Sequence, residues 1–334
     1  MRMVAMGIGL AVLSGLFNGL FTTPMKLEPR WKWENTWFVF IVVACLMMPI
    51  AIVFGSSSRV FSVLVQAPHH AVTAALLFGF AWGFGAICFG RSVHSIGVSM
   101  ANTLVIGLSS AMGSLVPLLL KGDITFRMKE FVLFAGVIAL LIGVAICGKA
   151  GRIRDGQQAA GVSSAIGYFF ALAAGVMSAI FNIGYALALP IADSGVLQGL
   201  TRFAATNLIW LLMLGAGSIP NISYCALQMR RNDTISLLYM PSSSLSWGRS
   251  CTMGVLWGGS IFIYGVATPR LGALGPSVGW PLSLGVGLVV ANLMGVVLGE
   301  WECAAPPAAK LMWTGLATLL FAIVLCGISA RFPE

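Results

Sequence analysis

Apolar residues in this chain neither alternate with polar ones nor keep to one face of a helix; they run on for whole spans at a time. Ten such runs can be read, at about 4–24, 36–55, 71–90, 98–120, 129–148, 164–189, 199–219, 250–268, 277–299 and 309–330. Each is near the roughly 20 residues a helix needs to cross about 30 Å of hydrocarbon, and none has the period-two pattern of a barrel strand. The pattern predicts an all-α, polytopic membrane protein with ten transmembrane helices. The first run follows Arg2, but it is long, has no small-residue cleavage site before Pro24 and has nine runs behind it, so it reads as a retained helix rather than a signal peptide.

The runs also repeat. Residues 79–97 (GFAWGFGAICFGRSVHSIG) and 254–272 (GVLWGGSIFIYGVATPRLG) match at an offset of 175, pairing Gly79 with Gly254, Trp82 with Trp257, Gly83 with Gly258, Phe89 with Tyr264, Gly90 with Gly265 and Gly97 with Gly272. The first runs of the halves match more weakly at an offset of 160, pairing Gly7 with Gly167, Gly15 with Gly175 and Phe21 with Phe181. The expected organisation is a five-helix repeat over 1–150, a connection over 151–163 and a second repeat over 164–334. An odd number of spans per repeat turns the second copy over. Inverted repeats around a midplane site are the architecture of secondary transporters.

Composition agrees with the pattern. Apolar residues make up 58% and charged residues 9% of the chain, against roughly 45–50% and about 25% in soluble domains. A net charge of +9 points to nucleic acid in a soluble protein, but here the cations sit in short loops and face lipid headgroups. Of the 19 Lys and Arg, 11 fall in loops after the odd-numbered runs and 8 on the other side, a slim lean towards termini outside that leaves orientation open. The seven cysteines show no C-x-x-C spacing and lie mostly within or at the ends of apolar runs, so they read as small apolar side chains with no disulfide framework and no metal site. Short loops leave no room for a soluble catalytic domain, and the chain lacks H-E-x-x-H, G-x-S-x-G and Walker patterns. No enzyme activity and no cofactor are expected. The Ser-rich segment Pro220–Ser250 reads as a solvated connection, and Pro276–Pro281 as a broken helix lining a cavity.

Polar side chains inside the runs are few, and a buried amide or hydroxyl needs a partner, either another helix or a ligand. Asn18, Trp82, Asn102, Ser109, Asn182, Tyr264, Ser277 and Trp280 fall on runs that matching halves bring to a common centre, and they are the candidate substrate-binding set. Hydroxyls and amides beside indole faces suit a neutral polyol. No Asp or Glu lies mid-span; Glu34 (WKWENTW) and Glu300 (LGEWE) are the most apolar-flanked acids and, with His94, the candidate proton-coupling groups.

Several blocks resemble one family: MGIGLAVLSGLFNGLFTTPMK followed by WKWENTWFVF, then LLFGFAWGFGAICFG, SIGVSMANTLVIG, LWGGSIFIYG and VLGEWE. They are similar to the bacterial L-rhamnose/proton symporters, within the drug/metabolite transporter superfamily, over nearly the whole chain. The resemblance implies import of L-rhamnose or a similar 6-deoxyhexose with protons, by a multi-pass protein of the inner membrane. Matched to that pattern, Glu34, Trp82, Gly83, Gly85, Gly97, Ser99, Met100 and Glu300 carry over, while His94 stands where the pattern leads us to expect an arginine. A superfamily exporter or facilitator of another small neutral or cationic metabolite is the alternative, with another cation in place of the proton and an oligomeric state that the chain leaves open.

Overall fold

The computed structural model describes residues 2–96, 98–120, 127–155 and 165–332; the side chains of 93, 94, 98–100 and 155 lie outside that description. Among these residues ten helices are long and apolar enough to span a membrane: α1 Arg2–Lys26, α2 Trp33–Ser56, α3 His69–Ser92, α4 Ala101–Leu120, α5 Met128–Arg154, α6 Ala165–Leu197, α7 Arg202–Arg231, α8 Pro241–Leu271, α9 Gly275–Val297 and α10 Pro306–Ser329. All-helical architecture with ten spans is what the apolar runs predicted.

Glycine decides where helices meet. A Cβ on Gly79 would sit 2.3 Å from the Met213 carbonyl oxygen, and one on Gly83 2.4 Å from that of Gly217, so α3 and α7 touch backbone to backbone. In lipid, where apolar side chains gain little by leaving their surroundings, such close approach supplies the adhesion. The matching glycines of α8 do the same against α2: a Cβ on Gly254 would meet Val43 at 2.6 Å, and one on Gly258 the Met48 sulfur at 2.6 Å.

The helix pairs follow one scheme. α3 packs on α6 and α7, and α8 packs on α1 and α2; α4 packs on α5 and α6, and α9 packs on α10 and α1. α2 meets α7, α4 meets α9 and α5 meets α10. Exchanging the first five helices for the last five reproduces these pairings, which fits a repeated unit.

Two local readings are corrected. Pro220–Ser250 is mostly helical: α7 continues through Pro220 to Arg231, a 3-10 turn covers Ile235–Tyr239, and helix resumes at Ser244. A proline inside a helix costs about 3 kcal/mol, yet here its ring packs where a Gly83 side chain would stand. Asn221, next in sequence, clasps three helices: its amide donates to the carbonyls of Gly83 and Gly217, and its oxygen accepts from the Trp37 indole. Pro276–Pro281 is likewise not broken; Pro276 lies in the first turn of a continuous α9 and Pro281 within it. Pro49 in α2 follows a wide π-helical stretch, Val42–Met47, a common way for a helix to absorb a proline.

Candidate functional site

Two joined cavities occupy the centre of the bundle. The outer vestibule holds about 990 Å³ and opens between the C-terminal ends of α1, α3, α5 and α7 and the N-terminal ends of α2 and α6. The inner chamber holds about 280 Å³. Phe21, Thr22, Trp37, Phe89, Asn102, Leu288 and Ala291 belong to both, so the passage is continuous.

One wall of the chamber is aromatic. The Trp82 and Trp257 indoles stack with centroids 5.2 Å apart; Trp82 also meets Phe181, and Trp257 meets Phe40. The other wall is polar and uncharged, with Ser14, Asn18, Asn102, Ser178 and Ser283. Some of these polar groups satisfy one another: Ser14 donates to the Ser260 carbonyl and pairs with Ser283 at 2.9 Å. Among the described residues Asn18 and Asn102 have no such partner, and both line the cavity. Among the described residues no acid or base lines the chamber, so its chemistry is hydrogen bonding and stacking.

Of the eight candidate substrate residues, Asn18, Trp82, Asn102, Tyr264 and Trp280 line the chamber. Ser109 stands just behind, sharing a 2.8 Å hydrogen bond with Ser178 and accepting from the Trp280 indole. Asn182 is fully buried beneath the floor, where its amide donates to the carbonyls of Gly113 and Pro276 and its oxygen accepts from the Tyr264 hydroxyl. Ser277 is buried away from the cavity lining. In sequence a mid-span amide such as Asn182 looks the same whether it faces a ligand or another helix; the structure places this one against other helices. Ser14, Thr22, Phe40, Ser178, Trp257 and Ser283 also line the chamber and stand outside the candidate set; the available signals are Trp257, the match of Trp82, and Ser14, directly before the matched Gly15.

Among the described residues that line the passage, the charged ones are Lys26, Arg91, Arg154 and Glu300, all in the vestibule. Glu300 pairs with Lys26 and, at 3.2 Å, with Arg154, and the Arg154 guanidinium lies 4.7 Å from the Trp301 ring centroid. Glu34 does not line either cavity. It is 6% exposed and accepts hydrogen bonds from Asn232 and Thr234 of the α7–α8 connection. The His94 side chain lies outside the described residues.

The opposite end of the passage is shut. Tyr185 stacks on Trp210 with centroids 4.4 Å apart and shares a 2.6 Å hydrogen bond with Thr268; both rings are fully buried. Ten spans around a chamber that, among the described residues, is uncharged, aromatic-walled and open to one face make this a membrane carrier. Its family follows from comparison: residues 1–330 match the family of the L-rhamnose-proton symport protein (RhaT), and the chain belongs to that family. Relatives include L-rhamnose-proton symporters of Klebsiella pneumoniae (strain 342), 24% identical over 342 residues, and Escherichia coli (strain K12 / DH10B), 23% identical over 346; each match covers 97% of this chain and 98% of the relative. A crystal structure of another protein, 18% identical, shares the fold with a TM-score of 0.56 over 99% of this chain and 97% of its own.

Proposed function

We propose that this protein carries L-rhamnose, or a closely similar 6-deoxyhexose, into the cell together with protons, across a bacterial inner membrane. Its family and its curated relatives are rhamnose-proton symporters rather than enzymes. The observation that carries the reading to particular residues is the pairing of uncommitted amides, Asn18 and Asn102, with the stacked Trp82 and Trp257 in one uncharged chamber. The amides offer donors and acceptors to ring hydroxyls, and the indoles offer a face to C–H groups and the methyl.

Transport then proceeds by alternating access: rocking one five-helix unit against the other closes the vestibule and opens the far side. Proton coupling needs a group whose affinity for a proton changes between the two states. Glu300 at the mouth, held by Lys26 and Arg154, and buried Glu34, bonded to Asn232 and Thr234, are with His94 the candidates. Membership of the drug/metabolite transporter superfamily belongs to this same reading.

The test is uptake of labelled rhamnose, fucose, glucose and ribose into proteoliposomes, with and without an imposed pH gradient. Accumulation of rhamnose beyond equilibrium only under the gradient is the expected result. Uptake of none of these sugars, or uptake indifferent to the gradient, refutes the corresponding half of the proposal.

A further inference from the structure

The two ends of the passage are built from matching positions. The 160-residue offset pairs Phe21, Thr22 and Met25 of α1 with Phe181, Asn182 and Tyr185 of α6, and the 175-residue offset pairs Phe89 of α3 with Tyr264 of α8. For α2 and α7 the glycine contacts supply the register. Gly79 packs on Met213 and its counterpart Gly254 on Phe40; Gly83 packs on Gly217 and its counterpart Gly258 on Ala44. Both comparisons give the same offset, 213 − 40 = 217 − 44 = 173, which pairs Trp37 with Trp210.

The two sets stand in opposite states. Phe21, Thr22, Met25, Trp37 and Phe89 all line the open vestibule. Asn182, Tyr185 and Trp210 are fully buried and Tyr264 nearly so, packed ring on ring and bonded through Asn182–Tyr264 and Tyr185–Thr268. A second observation points the same way. On the face of α7 against Gly265, the Thr206 hydroxyl and the Trp210 indole N–H are buried without a hydrogen-bond partner, and both polar atoms of neighbouring Asn207 are unpartnered too. Buried polar groups are nearly always satisfied, so a cluster of orphans calls for a reason. Water reaching them in another state supplies one.

We infer that the Asn182–Tyr185–Trp210–Tyr264 cluster is the gate of a second access route lined by Thr206, Asn207 and Trp210, and that Thr22, Met25, Trp37 and Phe89 form the matching gate on the side now open. The inference rests on the carrier reading above and adds to it which residues part and which meet. The same register sets Glu34 opposite Asn207, so at this position only the first half carries a proton-binding side chain.

Cysteine labelling tests it. In protein whose native cysteines are replaced, Thr22→Cys and Thr206→Cys are each exposed to a membrane-impermeant maleimide from both faces of reconstituted vesicles, and rhamnose uptake is measured on the same preparations. The expected result is rapid labelling at position 22 from one face only, and slow labelling at position 206 from the other face only. Tyr185→Phe, which removes the bond to Thr268, should raise the rate at 206 and lower it at 22. Thr268→Val removes the same bond from the other side and guards against a folding defect in either variant. Position 206 remaining unlabelled in protein that transports rhamnose, or labelling from the same face as 22, overturns the gate while leaving the carrier reading intact. Reciprocal labelling without rhamnose uptake upholds the gate and refutes the substrate.

Discussion

The Trp82 indole lies flat on that of Trp257, centroids 5.2 Å apart and planes within 11°, so two residues 175 positions apart in matching sequence blocks touch at the wall of the chamber. Each ring belongs to a helix fixed by glycine contacts, α3 on α7 and α8 on α2. The stack therefore records how the two halves stand against each other, and it forms part of the surface offered to substrate.

Replacing either indole should weaken sugar binding without preventing folding, provided an aromatic ring remains. Trp82→Phe and Trp257→Phe are each expected to raise the KM for rhamnose uptake about tenfold, equivalent to ~1.4 kcal/mol. The alanine versions should lose the stack, worth about 0.5–1.5 kcal/mol beyond buried area, and lower the melting temperature as well. Unchanged KM in both phenylalanine variants refutes the wall as a substrate surface.

The amides separate by what they already hold. Asn18→Ala and Asn102→Ala remove groups that have no protein partner among the described residues and should cost binding about 1 kcal/mol each, roughly fivefold in KM, with little change in thermal stability. Asn182→Ala takes its donor from the Gly113 carbonyl and leaves the Tyr264 hydroxyl with only its 3.4 Å bond to the Pro276 carbonyl, and should lower stability by about 2 kcal/mol. Melting curves read beside uptake kinetics distinguish the two outcomes.

Glu34→Gln and Glu300→Gln test coupling. The variant that removes the proton carrier should fail to accumulate rhamnose against a gradient yet still exchange labelled for unlabelled sugar. Glu300 is a partly exposed ion-pair partner, so its loss should cost stability at most about 1 kcal/mol. If both variants still concentrate sugar under a pH gradient, neither acid carries the proton.

Glu28 lies between α1 and α2, outside the spans, with its carboxylate buried. Burial pushes its pKa up, but the backbone N–H groups of Arg30 and Trp31, the Ser246 hydroxyl and Arg249 more than offset this and hold it below 4.5. A lowered folded-state pKa adds stability that is present above the ordinary carboxylate value and lost as pH falls through the folded one. Thermal stability should decline on acidification below pH 4.5. That decline should be shallower in Glu28→Gln, and an identical slope in the two proteins rules out this role.

Gly79→Val should prevent assembly, because its first side-chain atom would land 2.3 Å from the Met213 carbonyl oxygen on the facing helix. Gly215→Ala on α7 meets open space and should stabilise by about 0.5–1 kcal/mol. Yield and melting temperature of the purified variants check both.

The apolar runs alone determined that this chain spans a membrane ten times, because an uninterrupted apolar stretch has no other stable place to put its backbone than a helix in lipid. Matching glycines and tryptophans across the halves also marked α3 and α8 in advance, since close helix contact requires small residues at fixed spacing. Tertiary structure decided what each polar residue does. Asn18 and Asn182 look alike within their runs, yet one faces the chamber and the other is spent on Gly113, Pro276 and Tyr264. Glu34 and Glu300 both sit beside tryptophans, yet one is buried against the α7–α8 connection and the other is paired at the mouth. Likewise α7 runs on through Pro220 only because Gly83 on another helix leaves room for the ring. Periodicity and composition are properties of a segment, whereas a hydrogen-bond partner or a vacant space belongs to whatever residue the fold brings across from it.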